Sequence, residues 1–85
     1  MTTKGREILD GLEALKNDKW VNEYKCYYGY YPVEYLDSIL KKVYENDFEN
    51  DSEMMKFIND RVWHNMVDKG IIKLSKAGSS FKILV

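Results

Sequence analysis

Cysteine is nearly absent from this chain of 85 residues, and Cys26 is its single example. One thiol cannot form a disulfide within the chain, so the fold is not a disulfide scaffold. The N-terminus lacks the apolar stretch of a signal peptide. No apolar run approaches the ~18 residues that a membrane-spanning helix needs. We therefore expect a cytoplasmic protein that has no contact with a membrane.

Histidine also occurs only once, at His64, and glycine-rich loops are missing. A zinc site needs three or four ligands, whereas His64 lies far along the chain from Cys26. Neither residue stands in a pattern that would place a base beside a nucleophile. The five glycines are scattered and match neither nucleotide-binding spacing. We therefore expect no metal, no cofactor and no catalytic residue, in a protein that works by binding a macromolecule.

The net charge of −1 hides an uneven distribution of charge along what should be a single domain, residues 1–85. Residues 1–43 have seven bases and seven acids, which gives a net charge of 0. Residues 44–53 have five acids and no base, a net charge of −5, and residues 54–85 have six bases and two acids, a net charge of +4. An acidic connector therefore precedes a basic C-terminal third.

Apolar residues at helical spacing predict three helices. The first ends near Asn17, and the second begins at Pro32, the only proline in the chain. The third begins at a cap formed by Asp51 or Ser52 and ends before Gly70. We expect a core formed by these helices and the C-terminal residues, made of Ile8, Leu12, Leu15, Leu36, Leu40, Val43, Ile58, Val62, Met66, Ile71, Leu74 and Phe81.

Tyrosine is abundant, with seven examples, five of which lie between residues 24 and 31. Dense aromatic residues from Trp20 to Tyr31 favour a strand or an extended segment, in which Gly29 permits a bend and Tyr24–Tyr28 is one stretch that could form the strand. Alternate side chains of a strand point to opposite faces, and some tyrosines would then be exposed. Such tyrosines either pack half-buried around a small core, anchor a protein partner or stack on bases.

The C-terminal residues predict a β-hairpin, because the apolar runs Ile71–Leu74 and Phe81–Val85 flank a turn that contains Gly78. The full order is then helix, strand, helix, helix, hairpin. This order resembles a winged-helix domain, a variant of the helix-turn-helix. The most specific segment is 65–74, NMVDKGIIKL, which would end the third helix and enter a wing at Ser75–Ser80. The resemblance implies an α+β fold: three helices, a short strand and a hairpin wing.

The resemblance also implies a small regulator of transcription that binds double-stranded DNA through the third helix and the wing. The candidate contacts are Lys56, Arg61, His64, Asn65, Lys73, Lys76 and Lys82. Two observations weigh against this function: Glu53 and Asp60 on the same helix would repel phosphates, and the connector is longer than the usual ~3–4 residues. The wing lysines would otherwise keep an edge hairpin soluble. One small module has little affinity, so a DNA-binding form is expected to be a homodimer.

The alternative partner is a host protein. The candidate anchors are Tyr27, Tyr30, Tyr31 and Trp63, with the acidic connector steering a basic partner. Small domains of this kind act as inhibitors of host proteins in phages and mobile elements, which is an analogy at the level of the fold. The sequence leaves both partners open, with DNA slightly ahead.

Overall fold

A computed structural model describes residues 3–85 of the chain. Over these residues the elements are α1 (Thr3–Lys16), α2 (Lys19–Tyr24), β1 (Tyr30–Pro32), α3 (Val33–Tyr44), a 3₁₀ turn (Glu45–Asp47), α4 (Asp51–Phe57), a π-helical segment (Ile58–Val62), α5 (Trp63–Asp68), β2 (Ile72–Leu74) and β3 (Ser80–Ile83). The backbone stays helical from α4 to α5, so residues 51–68 form one continuous helix with a π-helical centre. The α+β class predicted from the sequence is confirmed.

The strands of the described chain form one antiparallel sheet in the order β1-β3-β2. The predicted hairpin is therefore present, and the short strand pairs with it. Tyr31, Phe81 and Leu74 lie side by side across the sheet and face the helices. Phe81 on the central strand is fully buried, because helices cover this face of the sheet.

The core joins α1, α3 and the helix of residues 51–68 to the inner face of the sheet. Its buried members are Ile8, Leu12, Leu15, Val21, Tyr31, Leu36, Leu40, Met54, Ile58, Val62, Met66, Ile72 and Phe81. Nine of the twelve predicted core residues are among them, whereas Val43, Ile71 and Leu74 are only partly buried at the margin of the core. No polar or charged residue is fully buried within the part of the chain that the structure describes.

Helix 51–68 begins one or two residues earlier than predicted. Its cap is Asn50, whose Oδ1 accepts hydrogen bonds from the backbone N–H groups of Ser52 at 2.8 Å and Glu53 at 3.3 Å. The prediction that Asp51 or Ser52 is the cap is therefore wrong, since both residues lie inside the helix. Gly70 follows the helix with a φ of 71°, as expected for a glycine that ends a helix.

A hydrogen-bond junction holds the end of α1, α2 and β1 together. The amide Nδ2 of Asn22 donates to the carbonyl oxygens of Leu15 at 3.0 Å, Lys16 at 3.1 Å and Asp18 at 2.7 Å. Its Oδ1 accepts a hydrogen bond of 2.6 Å from the hydroxyl of Tyr31. The carbonyl oxygens of Leu15 and Asp18 also accept hydrogen bonds from backbone N–H groups, so the Asn22 side chain adds to these bonds, provides a donor for the Lys16 carbonyl and anchors the first strand.

No helix within residues 3–85 has the length and the apolar character needed to cross a bilayer.

Candidate functional site

A tight turn, which we call the tyrosine turn, occupies residues 27–30. The backbone N–H and C=O groups of Tyr27 and Tyr30 exchange two hydrogen bonds of 2.9 Å. The central residues both have positive φ angles, 52° for Tyr28 and 83° for Gly29. Positive φ at both central positions defines a type I′ turn, in which Asn-Gly is the preferred pair. Tyrosine at the first position is strained, because its Cβ disfavours this conformation.

The structure has a strand only at the end of the predicted aromatic segment, in β1, and contradicts a strand at Tyr24–Tyr28. Asp18 caps a short helix instead, because its Oδ1 accepts a hydrogen bond of 3.1 Å from the N–H of Val21. That helix, α2, ends at Tyr24, and the tyrosine turn follows two residues later. Helix capping and the burial of Val21 therefore outweigh the β propensity of the aromatic residues.

The tyrosines differ widely in exposure. Tyr28 is 83% exposed and Tyr27 is 73% exposed, and their rings contact each other edge to face with centroids 4.4 Å apart. Tyr31, in contrast, is 5% exposed and packs against Phe81. The Tyr31 ring belongs to the core and is not exposed, unlike the protein-binding anchor that the sequence predicted at this position.

Two further aromatic residues are exposed on α2. Trp20 and Tyr24 are 55% and 64% exposed, and their ring centroids are 5.6 Å apart. The Nζ of Lys25 lies 5.8 Å from the Trp20 ring, which is a cation–π distance. Trp63, predicted as an anchor, is instead half-buried against the core. Its Nε1 is buried without a hydrogen-bond partner in the described chain.

A row of three side chains crosses the outer face of the sheet. Tyr30 of β1 lies opposite Lys82 of β3, and Lys82 lies opposite Lys73 of β2. Both lysines are exposed, and within residues 3–85 neither forms an ion pair with a carboxylate. Like charges directly opposite each other on neighbouring strands destabilise a sheet. We call Tyr30, Lys82 and Lys73 the lysine row.

The lysine row and the tyrosine turn are adjacent. The Lys82 side chain passes over Gly29, since a Cβ placed on Gly29 would lie 3.5 Å from Lys82 Cε. A groove of about 400 Å³ separates the tyrosine turn from the wing. None of the residues that line it is acidic: they are Lys25, Tyr27, Tyr28, Tyr30, Pro32, Ser75, Ser79 and Ser80.

The candidate contacts on helix 51–68 are all exposed, but only two of them line a groove. Arg61 and Asn65 line a groove of about 340 Å³ together with Lys69, whereas Lys56 and His64 do not line it. The π-helical segment separates Lys56 from the later residues and interrupts the regular helical repeat. Residues 51–69 carry four acids and three bases, a net charge of −1. The acids Asp51, Glu53, Asp60 and Asp68 therefore outnumber the bases along this helix.

The pKa values of buried Tyr31 and half-buried Asp37 are both raised by their surroundings. Burial raises the pKa of Tyr31, and nearby Cys26 raises it further. Burial also raises the pKa of Asp37, partly offset by Lys41. Among residues 3–85, no group of three or more His, Cys, Asp or Glu side chains is placed to hold a metal ion. Tyr31 and Asp37, the two residues with raised pKa values named here, do not line the groove beside the wing.

Of the residues in this region, the sequence prediction named Tyr27, Tyr30 and the lysines at 73, 76 and 82 as candidate contacts, but not Tyr28 or Lys25. The signal for the turn was present in the Tyr28-Gly29 pair, since glycine commonly takes the second central position of a type I′ turn. Comparisons with protein-family models, curated proteins and solved structures found no match to this chain.

Proposed function

We propose that this chain is a small, non-enzymatic, winged-helix-like regulator that binds double-stranded DNA, with the wing and the lysine row as its main contacts. The order of the elements and the sheet order β1-β3-β2 support the winged-helix assignment. The proposal moves the contact surface from helix 51–68 to the sheet. Lys73, Lys76 and Lys82 remain as contacts.

The observation that carries the proposal is the direct opposition of Lys73 and Lys82. Two cations at neighbouring positions repel each other unless an anion lies between them. The phosphates of a DNA backbone are such anions, and each neutralised phosphate releases counterions into solution. Lys76 at the tip of the wing adds a third exposed cation.

A salt series tests this proposal. Fluorescence anisotropy with a labelled duplex, from about 25 mM to about 300 mM KCl, should give a plot of log K against log salt with a slope of about −3 for three lysine–phosphate contacts. Lys73→Gln and Lys82→Gln should each reduce the steepness of that slope by about 1. The control is Lys42→Gln, at an exposed position in the last turn of α3, which should not change it. Absence of duplex binding at the lowest salt concentration would exclude the proposal.

A protein partner is the second candidate, and the exposed rings of Trp20, Tyr24, Tyr27 and Tyr28 favour it. A photo-crosslinking residue in place of Tyr27 should then give a defined protein adduct in a cell extract. The same residue in place of Lys42 should give none. Equal labelling from both positions would argue against a specific protein-binding surface.

A further inference from the structure

In the tyrosine turn, Tyr28 combines a strained backbone conformation with an exposed aromatic ring. Tyr28 has a φ of 52°, and it is the only residue other than glycine with positive φ in the described chain. Its ring is 83% exposed, so burial in the core does not compensate for that strain. Strained residues persist where the surrounding structure enforces them and are concentrated at ligand-binding sites. The strain and the exposure of Tyr28 together make the turn a candidate ligand contact.

The surroundings of Tyr28 define the chemistry of this ligand. The groove beside the ring contains Lys25 and serine hydroxyls of the wing, and Lys82 passes over Gly29. The ligand should therefore combine a flat apolar face with negative charge. A nucleotide has both, in its base and its phosphate.

In the interior of a duplex, both faces of a base are covered by neighbouring bases, so a side chain cannot stack on it unless the base leaves the helix. An unpaired nucleotide has no such restriction. We propose that the tyrosine turn is a stacking site for an unpaired base, and that the lysine row binds the phosphates of the same strand. This inference rests in part on the proposed function and extends it from duplexes to single strands.

Three DNA probes test the inference: a thymidine oligomer of about ten nucleotides, a blunt duplex, and that duplex with a single-stranded overhang. Tyr28→Asn removes the ring while suiting the positive φ of the turn. It should weaken binding of the oligomer and of the overhang about 10-fold, while the affinity for the blunt duplex should change less than about 2-fold. Lys73→Gln should weaken binding to all three probes.

Tyr24→Gln is the matched control, because Tyr24 is also an exposed tyrosine but lies outside the groove. It should leave all affinities unchanged, and circular dichroism should confirm that both variants fold.

If the duplex binds but Tyr28→Asn has no effect on the oligomer, the stacking site is refuted and the proposed function stands. If only the oligomer binds, and it depends on Tyr28, the proposed duplex function fails and the stacking site stands. If a polyglutamate peptide displaces the oligomer and binds in a manner that depends equally on Tyr28, the site takes acidic peptides and the inference is wrong.

Discussion

The hydroxyl of Tyr31 donates a hydrogen bond of 2.6 Å to Oδ1 of Asn22, nine residues earlier in the chain. This bond connects the first strand to the side chain that also binds the end of α1. Tyr31→Phe should therefore lower the free energy of unfolding by about 1 kcal/mol, since one partly buried hydrogen bond is lost.

Asn22→Ala should have the larger effect, about 2 kcal/mol, because it removes both the acceptor of the Tyr31 hydroxyl and the amide donor to the Lys16 carbonyl. Urea denaturation of the two variants measures both values. An Asn22→Ala variant that is no less stable than Tyr31→Phe would show that water replaces the amide at the end of α1.

The backbone strain at Tyr28 predicts a variant that is more stable than the natural chain. Asparagine is preferred where the first central residue of a type I′ turn has positive φ. Tyr28→Asn should therefore raise the free energy of unfolding by about 1 kcal/mol, because it relieves the strain and removes no buried contact. Thermal or urea denaturation checks this value.

Gly29→Ala is the opposite change in the same turn, since alanine must adopt a φ of 83°. It should lower stability by about 1 kcal/mol. A Tyr28→Asn variant that is less stable than the natural chain would show that the exposed tyrosine ring contributes to folding.

The sequence predicted the helices best where their apolar residues repeat regularly. Ile8, Leu12 and Leu15 mark α1 because their spacing alone places them on one face. The first part of the aromatic segment was predicted wrongly, because Asp18 as a helix cap is a weaker signal in the sequence than a run of tyrosines. Local propensity could not identify the buried member of that run, Tyr31, since the choice depends on the Asn22 junction.

The candidate site was predictable as a set of residues but not as a surface. Lys73 and Lys82 were both identified from the sequence, yet their direct opposition depends on the register of β2 and β3. A shift of one residue would send either side chain to the other face of the sheet, and composition does not determine that register. The strain at Tyr28 likewise exists only once the turn type is known.

In the protein without a bound anion, the repulsion between Lys73 and Lys82 should make the β2–β3 hairpin less stable than it would be with a neutral residue at position 73. Lys73→Thr removes the repulsion and introduces a residue that favours strands. It should raise the free energy of unfolding by about 0.5 kcal/mol at low salt. The gain should shrink at about 1 M salt, because the charges are exposed and screened.

Lys76→Thr serves as the control, since Lys76 lies in the wing turn and opposes no lysine across the strands. Lys76→Thr should show no salt-dependent increase in the free energy of unfolding. Equal gains for both variants would mean that net charge, rather than the opposition of two lysines, sets the effect.

The raised pKa of Asp37 predicts that the stability of the protein depends on pH. Between the ordinary pKa of 3.8 and the raised value, the folded protein holds more protons than the unfolded chain, so stability falls as pH rises through this window. Above the raised pKa the loss is complete. Asp37→Asn removes the charge that burial disfavours and should be more stable than the natural chain at neutral pH.

The two proteins should converge in stability near about pH 3, where Asp37 is protonated in both states. Urea denaturation at several pH values measures this difference. A constant difference at every pH would assign the effect to the amide group rather than to ionisation.

The close contact between α1 and α3 predicts a substitution whose effect changes sign. A Cβ placed on Gly11 would lie 2.6 Å from Cγ2 of Ile39, a half-buried, β-branched side chain that has few alternative rotamers. Gly11→Ala gains about 1 kcal/mol of helix propensity but should lose about 2 kcal/mol to this overlap, so the variant is destabilised by about 1 kcal/mol.

In an Ile39→Ala background the overlap is gone, and the same substitution should stabilise the protein by about 1 kcal/mol. Urea denaturation of the four proteins completes the double-mutant cycle. If Gly11→Ala has the same effect in both backgrounds, Ile39 moves aside freely, and the glycine is not required for the packing of α1 on α3.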